Sequence, residues 1–320
     1  MLVSMLERKE LVEEIAYWKK KRNAVLLAHN YQLPEIQDIA DVLGDSLHLA
    51  RATTEVNADV IVFCGVHFMA ETSAILNPDK KVLLPDINAG CSLADSITVA
   101  QLREWKKQHP NATVVAYVNT SADVKAESDY CCTSSNAVEV VSAIPEDQEI
   151  LFLPDMFLGS FVQRQTGREN MHIWMGECHV HAGIAPEHID KVTSEHPEAD
   201  LLVHPECGCS TSTMYLAGEG ELPEEKTHIL STGRMLDYSK KSAAEEFIVA
   251  TETGIIHQME KHNPEKHFIA ANPEAVCPFM KMITLEKVLQ ALKEDTHVIS
   301  VPKDTASKAR RAIERMVAIG

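Results

Sequence analysis

Residues 24–31 read AVLLAHNY, residues 112–119 read ATVVAYVN and residues 199–206 read ADLLVHPE. Each is a short apolar run that closes on polar residues, the pattern of a buried parallel strand and the turn after it. His29, Tyr117 and His204 occupy one place in the three copies, at spacings of 88 and 87 residues. Tyr31, Asn119 and Glu206 follow at the same two spacings. Further landmarks keep the register. Ser46, Ser134 and the pair Ser231-Thr232 each open a helical segment, and apolar strands are predicted at 59–64, 149–153 and 246–251. A last strand in each copy, at 82–85, 171–175 and 268–271, ends shortly before Cys91, Cys178 and Cys277. The longer interval between the second and third Cys is taken up by the Gly- and Glu-rich stretch 217–226.

A period this long exceeds that of a solenoid repeat, and each copy is large enough to form a small layered unit. The fold class expected is α/β, with three pseudo-threefold-related layered domains, each a mostly parallel sheet flanked by helices, around a central site. The expected boundaries are 1–98, 99–185 and 186–285, with 286–320 a C-terminal helical segment. An N-terminal helix over 5–21 and a C-terminal helix over 305–319 should pack outside the core. The basic residues Lys308, Arg310, Arg311 and Arg315 on the latter read as a solvated face.

The 320 residues carry 47 acidic and 30 basic side chains, a net charge of −17. That balance argues against a nucleic-acid partner, which needs clustered positive charge. The first residues lack the apolar core and cleavage site of a secretory signal, and no uncharged run nears the roughly 18 residues of a membrane span. A cytoplasmic protein is expected. Its eight Cys then read as reduced thiols or metal ligands rather than disulfides.

Parallel sheets bind ligands beyond the carboxyl ends of their strands, and all the landmarks lie there. If the three ends face a shared axis, His29, Tyr31, Tyr117, Asn119, His204, Glu206, three hydroxyl sites and three thiols meet in one pocket. Three Cys from distant positions, none paired as C-x-x-C with another, suit a [4Fe–4S] cluster with one iron lacking a protein ligand. Such an iron can act as a Lewis acid. Ser or Thr at helix starts can hold carboxylate or phosphate without Lys or Arg. His29, His204, Tyr31, Tyr117 and Glu206 are candidate acid–base groups. Cys64 reads as core, as does at least one of Cys131 and Cys132; Cys207 and Cys209 read as structural or as an auxiliary thiol pair. His67 and Glu252 also follow strands, and His179 and His181 flank Cys178 as supporting residues.

The strings AHNYQ (28–32), GDSL (44–47), CGVHFMAET (64–72), DINAGCSLAD (86–95), AYVNT (116–120), CTSSNA (132–137), GECHVH (176–181), HPEC (204–207), STGRM (231–235), ATETGI (250–255) and CPFMK (277–281) resemble the quinolinate synthase family of de novo NAD synthesis. The resemblance is collinear over nearly the whole chain. It implies a condensing and dehydrating enzyme that joins iminoaspartate and dihydroxyacetone phosphate to give quinolinate, releasing phosphate and two waters. It further implies a [4Fe–4S] cluster on Cys91, Cys178 and Cys277, and substrate contacts at His29, Ser46, Tyr117, Val118, Asn119, Ser134, His204, Pro205, Glu206 and Thr232. Tyr31 matches the tyrosine that assists at the open iron. By the same analogy an aspartate oxidase or dehydrogenase supplies the imine. The string AVCPFMK departs from relatives that carry C-x-x-C beside the third ligand, which gives no support to a regulatory disulfide there. Read from the residues alone, other classes stay open: a different three-domain, three-Cys iron–sulfur enzyme of the diphthamide or isoprenoid-reductase kind, a zinc-dependent lyase, or a metal-sensing regulator.

Overall fold

In a computed structural model, the protein is described for the backbone of residues 2–320 and for side chains from residue 8 onward. The first repeat contributes β1 (Ala24–His29), β2 (Val42–Gly44), β3 (Val60–Cys64) and β4 (Lys81–Leu83). The second contributes β5 (Thr113–Tyr117), β6 (Tyr130–Cys132), β7 (Ile150–Leu153) and β8 (Met171–Ile173). The third contributes β9 (Asp200–Val203), β10 (Thr227–Ile229), β11 (Glu246–Ala250) and β12 (His267–Ala270). These form three four-stranded sheets of one topology, β2-β1-β3-β4, β6-β5-β7-β8 and β10-β9-β11-β12. Every strand-to-strand pairing within them is parallel. Parallel neighbours need a crossover, and the intervening segments are mostly helical.

The central strands are continuous apolar runs because helices cover both faces of each sheet. VIVFC in β3 and ILFL in β7 are buried at every position. The repeat extends to a small device: the Leu26 N–H donates to Asp41 Oδ2 at 2.7 Å, and Val114 N–H to Asp129 Oδ2 at 2.9 Å. Both pairs hold the edge of the central strand in the same way, 88 residues apart.

The helix at the C-terminal end spans Lys303–Ala318 and does more than flank the core. Ala309, Ala312, Ile313 and Met316 are buried on its inner face. Lys308 and Arg311 are exposed as expected, but Arg310 and Arg315 are not simply solvated, which corrects the sequence expectation for those two. Arg310 donates to the Ile75 carbonyl of the first repeat, and Arg315 donates to the Asp129 carbonyl of the second at 2.7 Å while lying over the Tyr130 ring. Asn136 donates to the Met316 and Ile319 carbonyls, and Arg51 to those of Val317 and Ile319. The helix thus straps the first and second repeats together. No described helix is long and apolar enough to cross a membrane.

Candidate active site

Because the three sheets share one topology, the same loops of each repeat emerge at equivalent places, and they meet. Asp45, Ser135 and Ser231 form a junction in which Ser135 Oγ lies 2.7 Å from Asp45 Oδ2 and 2.8 Å from Ser231 Oγ. Two of these three are helix caps: Asp45 accepts from the His48 N–H and Ser231 from the Arg234 N–H. The expectation that a hydroxyl opens each helix holds in the first and third repeats, where Ser46 and Thr232 are the first helical residues, but Ser134 lies in a turn ahead of the helix 137–142. A hydroxyl caps the helix only in the third repeat, and Asp45 takes that role in the first. An ionised carboxylate cap displaces Ser because it satisfies the same free N–H group while also accepting from Ser135.

Gly233 sits against this junction. A Cβ there would come within 2.6 Å of Asp45 Oδ2, an atom already fixed by hydrogen bonding. Gly233→Ala is expected to cost about 1–3 kcal/mol by forcing the junction of Asp45, Ser135 and Ser231 apart, visible as a lower urea midpoint without a change in m.

One cavity opens beside the junction, and its lining includes His29, Tyr31, Ser46, Tyr117, Asn119, Ser134, His204, Glu206, Thr232, Cys91, Cys178 and Cys277. Two residues of the expected contact set are not on it. Val118 is buried, with its N–H donating to the Cys132 carbonyl, and Pro205 lines a neighbouring cleft instead. His67 also lies off the cavity, half-exposed at a helix start.

The two strand-end histidines are held alike. The Tyr31 N–H donates to His29 Nδ1 at 3.1 Å, and the Glu206 N–H donates to His204 Nδ1 at 3.3 Å. An accepting Nδ1 leaves the proton on Nε2, so each ring is a neutral donor toward the cavity. His204 Nε2 sits 3.2 Å from Ser134 Oγ. Burial pushes His29 down to about 4 and His204 down to about 3, against opposing carboxylate charge from Asp45 and Glu206. The unfolded chain protonates both near pH 6.5 whereas the folded protein does not. Their contribution to stability is therefore complete above that pH and is lost as pH falls from about 6.5 toward 4. The slope is roughly 1.4 kcal/mol per pH unit for each histidine. Urea midpoints at pH 7 and pH 5 measure this loss, and a His29→Gln/His204→Gln double variant should flatten it.

Glu206 is the electrostatic centre. Its carboxylate accepts from the Tyr117 hydroxyl and lies 3.1 Å from His181 Nδ1, both groups being buried. Burial alone would raise the Glu206 carboxyl, but His181, His204 and the Tyr117 hydroxyl hold it down at about 2. Burial would lower His181, but Cys178 and Glu206 outweigh it and raise the imidazole well above its ordinary value. The proton of this pair therefore rests on His181. Its Nε2 reaches Thr251 Oγ1 at 2.8 Å, which in turn lies 2.5 Å from the Tyr31 hydroxyl. Its ring stacks on His204 with centroids 4.7 Å apart. His181 has no counterpart in the other repeats, so register could not single it out.

The thiol loops are clamped from below. Buried Glu252 accepts from the Cys277 N–H at 3.0 Å and from Lys281 Nζ at 2.8 Å, and Lys281 also donates to the Tyr31 carbonyl. Asp155 stands at the equivalent place after β7. It caps the helix 156–166 by accepting from the Leu158 N–H at 2.7 Å. Glu252 holds the Cys277 loop while also lining the cavity.

Burial pushes the Cys91 thiol up, and the neighbouring Cys178 and Cys277 push it further; burial and Cys178 raise Cys277 as well. Holding all three as thiolates against that burial and mutual repulsion requires a positive centre among them, and three soft sulfur donors suit iron–sulfur or zinc. Asn119 Oδ1, on the same lining, is buried without a hydrogen-bond partner, as an acceptor awaiting a ligand would be.

Cys64, Cys131 and Cys132 are buried free thiols in strands, as expected for core. Cys207 and Cys209 correct the expectation of reduced thiols throughout. They are joined to each other, because Gly208 between them allows a Cα–Cα distance of 5.2 Å, within disulfide range.

Residues 13–318 match the family described as Quinolinate synthetase A protein. The chain belongs to the quinolinate synthetase A family. It is 57% identical over 311 residues to a protein named quinolinate synthase from Mycobacterium sp. (strain KMS), covering 97% of this chain and 92% of the relative. It is 56% identical over 310 residues to a quinolinate synthase of Thermus thermophilus, covering 97% of each. A quinolinate synthase of Mycobacterium tuberculosis is 56% identical over 299 residues, covering 93% of this chain and 86% of the relative. Family membership agrees with the site: the strings that carry the resemblance are the loops that line the cavity.

Proposed function

We propose that the protein is a cytoplasmic quinolinate synthase. It condenses iminoaspartate with dihydroxyacetone phosphate, a condensing and dehydrating transfer that yields quinolinate, phosphate and two waters. The observation that carries this reading is the convergence of one thiol and one polar strand end from each sheet on a single cavity. Cys91, Cys178 and Cys277 would hold a [4Fe–4S] cluster, which when bound supplies Lewis acidity for loss of a substrate hydroxyl.

The chain's own residues do the rest. Ser46, Ser134, Thr232 and Asn119 offer neutral hydrogen bonds to the carboxylates and phosphate, so anionic substrates are held without Lys or Arg despite the acidic surface. His29 and His204 add neutral Nε2–H donors. Tyr31 and His29 orient the departing oxygen. The buried Glu206–His181 pair moves protons during carbon–carbon bond formation and imine exchange, with His181 giving and retaking the proton and Glu206 stabilising its charge. Burial of the reactants in the cavity would exclude water that hydrolyses the imine. An aspartate oxidase or dehydrogenase would supply that imine. The repeats at 1–98, 99–185 and 186–285, with 286–320 packed upon them, are taken as the domains that assemble this site.

The test is an anaerobic assay with both substrates, following quinolinate, combined with iron and sulfide analysis. Quinolinate formation with iron and sulfide in equal amounts supports the reading. Protein that contains zinc alone, or that makes no quinolinate when iron-loaded, sinks it.

A further inference from the structure

A second cluster of ligating side chains lies at the other end of the second sheet. His109 Nδ1 is 2.7 Å from Glu149 Oε1, and His172 Nε2 is 2.8 Å from the same oxygen. The two rings lie 4.4 Å apart, centroid to centroid. We propose that His109, Glu149 and His172 form a divalent transition-metal site of the zinc class, separate from the three-thiol centre.

The backbone prepares the site. His109 caps the helix 99–108, Glu149 immediately precedes β7, and His172 lies within β8 in register with Leu151. The Glu149 carbonyl accepts from the Thr113 N–H at 2.8 Å, which ties it to β5. Three separate stretches thus deliver two imidazoles and one carboxylate to one point. Among the described residues, Glu149 forms ion pairs only with these two histidines; no Lys or Arg neutralises it. Two ring nitrogens therefore aim at one carboxylate oxygen that lacks a permanent counter-charge. A divalent ion would satisfy all three groups at once.

The donor set selects the ion. Imidazole and carboxylate suit zinc, nickel and copper, and three protein ligands leave a fourth position for water. Bonds of about 2.0–2.2 Å in tetrahedral geometry place ligand atoms roughly 3.3 Å apart. The histidine nitrogens need draw back from Glu149 by only about 0.5 Å from their hydrogen-bonded positions. Partial exposure of all three side chains permits that movement and gives an ion direct access.

The site faces away from the proposed chemistry. Glu149 stands at the start of β7, whose far end leads to Asp155 and the cavity. A metal here would pin the edge strand β8, which leads into the loop bearing Cys178. Trp105 and Trp174 act as built-in reporters: Trp105 lies 6.4 Å from the His109 ring and 5.5 Å from Trp174.

The test uses cluster-loaded protein handled without oxygen. Equilibrium dialysis against micromolar free Zn2+ should retain one zinc per chain beyond the iron, and Ni2+ titration should quench tryptophan fluorescence. In His172→Gln and in Glu149→Gln, loss of a ligand should weaken binding by more than about 100-fold, since loss of a mere supporting hydrogen bond costs about 10–100-fold. Quinolinate formation should stay unchanged in both variants. His172 lies on an edge strand and is half-exposed, so its variant should fold normally. Unaltered zinc retention in both variants would assign the metal elsewhere, and no zinc retained by the wild-type chain would leave a hydrogen-bonded triad; either overturns the proposal.

Discussion

Glu206→Gln is expected to lower quinolinate formation by about 10²–10⁴-fold, the usual yield of a positioned proton-transfer group, while leaving iron content unchanged. The substitution keeps the shape of the side chain and can still accept from the Tyr117 hydroxyl, so packing around it survives. What disappears is the negative charge that keeps the proton on His181, 3.1 Å away. With that charge gone, His181 loses one of the two groups that hold its proton against burial, and only Cys178 still opposes that burial. The pair then delivers its proton less readily. Breaking a buried ion pair by removing one partner also costs stability, on the order of 3–5 kcal/mol. A urea titration should show that cost, and rates must be measured well inside the folded baseline. A kcat near that of the wild type would remove the Glu206–His181 pair from the mechanism.

Cys91→Ala, Cys178→Ala and Cys277→Ala should each reduce bound iron from about four per chain to a small fraction and abolish activity. The contrast with the remaining thiols gives the experiment its force. Cys64, Cys131 and Cys132 lie within strands, and Cys207 and Cys209 are joined to each other. Cys64→Ala and a Cys207→Ser/Cys209→Ser double variant should keep full iron content, losing packing in the first case and the Cys207–Cys209 link in the second. Retention of iron and sulfide by a variant of any of the first three would refute the ligand set. Glu252→Gln offers an intermediate case: the side chain can still accept from the Cys277 N–H but pairs less strongly with Lys281, so partial iron loss is expected.

These predictions rest on residues of differing visibility in the sequence. The strand-end histidines, Tyr117, Glu206 and the three Cys were legible because they recur at a fixed interval, and one topology used three times must bring recurring positions together. His181 was visible only as a neighbour of Cys178, and Thr251 was not visible at all, since each acts once and a single polar residue carries no register. Asp45 was hidden by its neighbour: a hydroxyl at Ser46 looked like the cap, and only three-dimensional proximity to Ser135 shows why a carboxylate serves there instead. Glu252 and Asp155 sit at matching positions, but they work beneath the loops, through backbone N–H groups that a sequence does not display. The strap helix carried a readable amphipathic pattern at Ala309, Ala312, Ile313 and Met316, yet the charges beside it suggested solvent. Two of them, Arg310 and Arg315, instead bond main-chain carbonyls of two different repeats.

That helix has a consequence for how the protein is made. A ribosome extends a chain at about 5–20 residues per second, and each α/β repeat can begin to fold as soon as it emerges. The seam between the first two repeats, however, is completed by residues 303–318, which are synthesised after the whole third repeat. For many seconds the nascent chain therefore carries nearly finished sheets with the groove between helix 67–76 and β6 still uncovered. A chain lacking that helix would leave this groove open, exposing apolar surface that residues 303–318 otherwise cover.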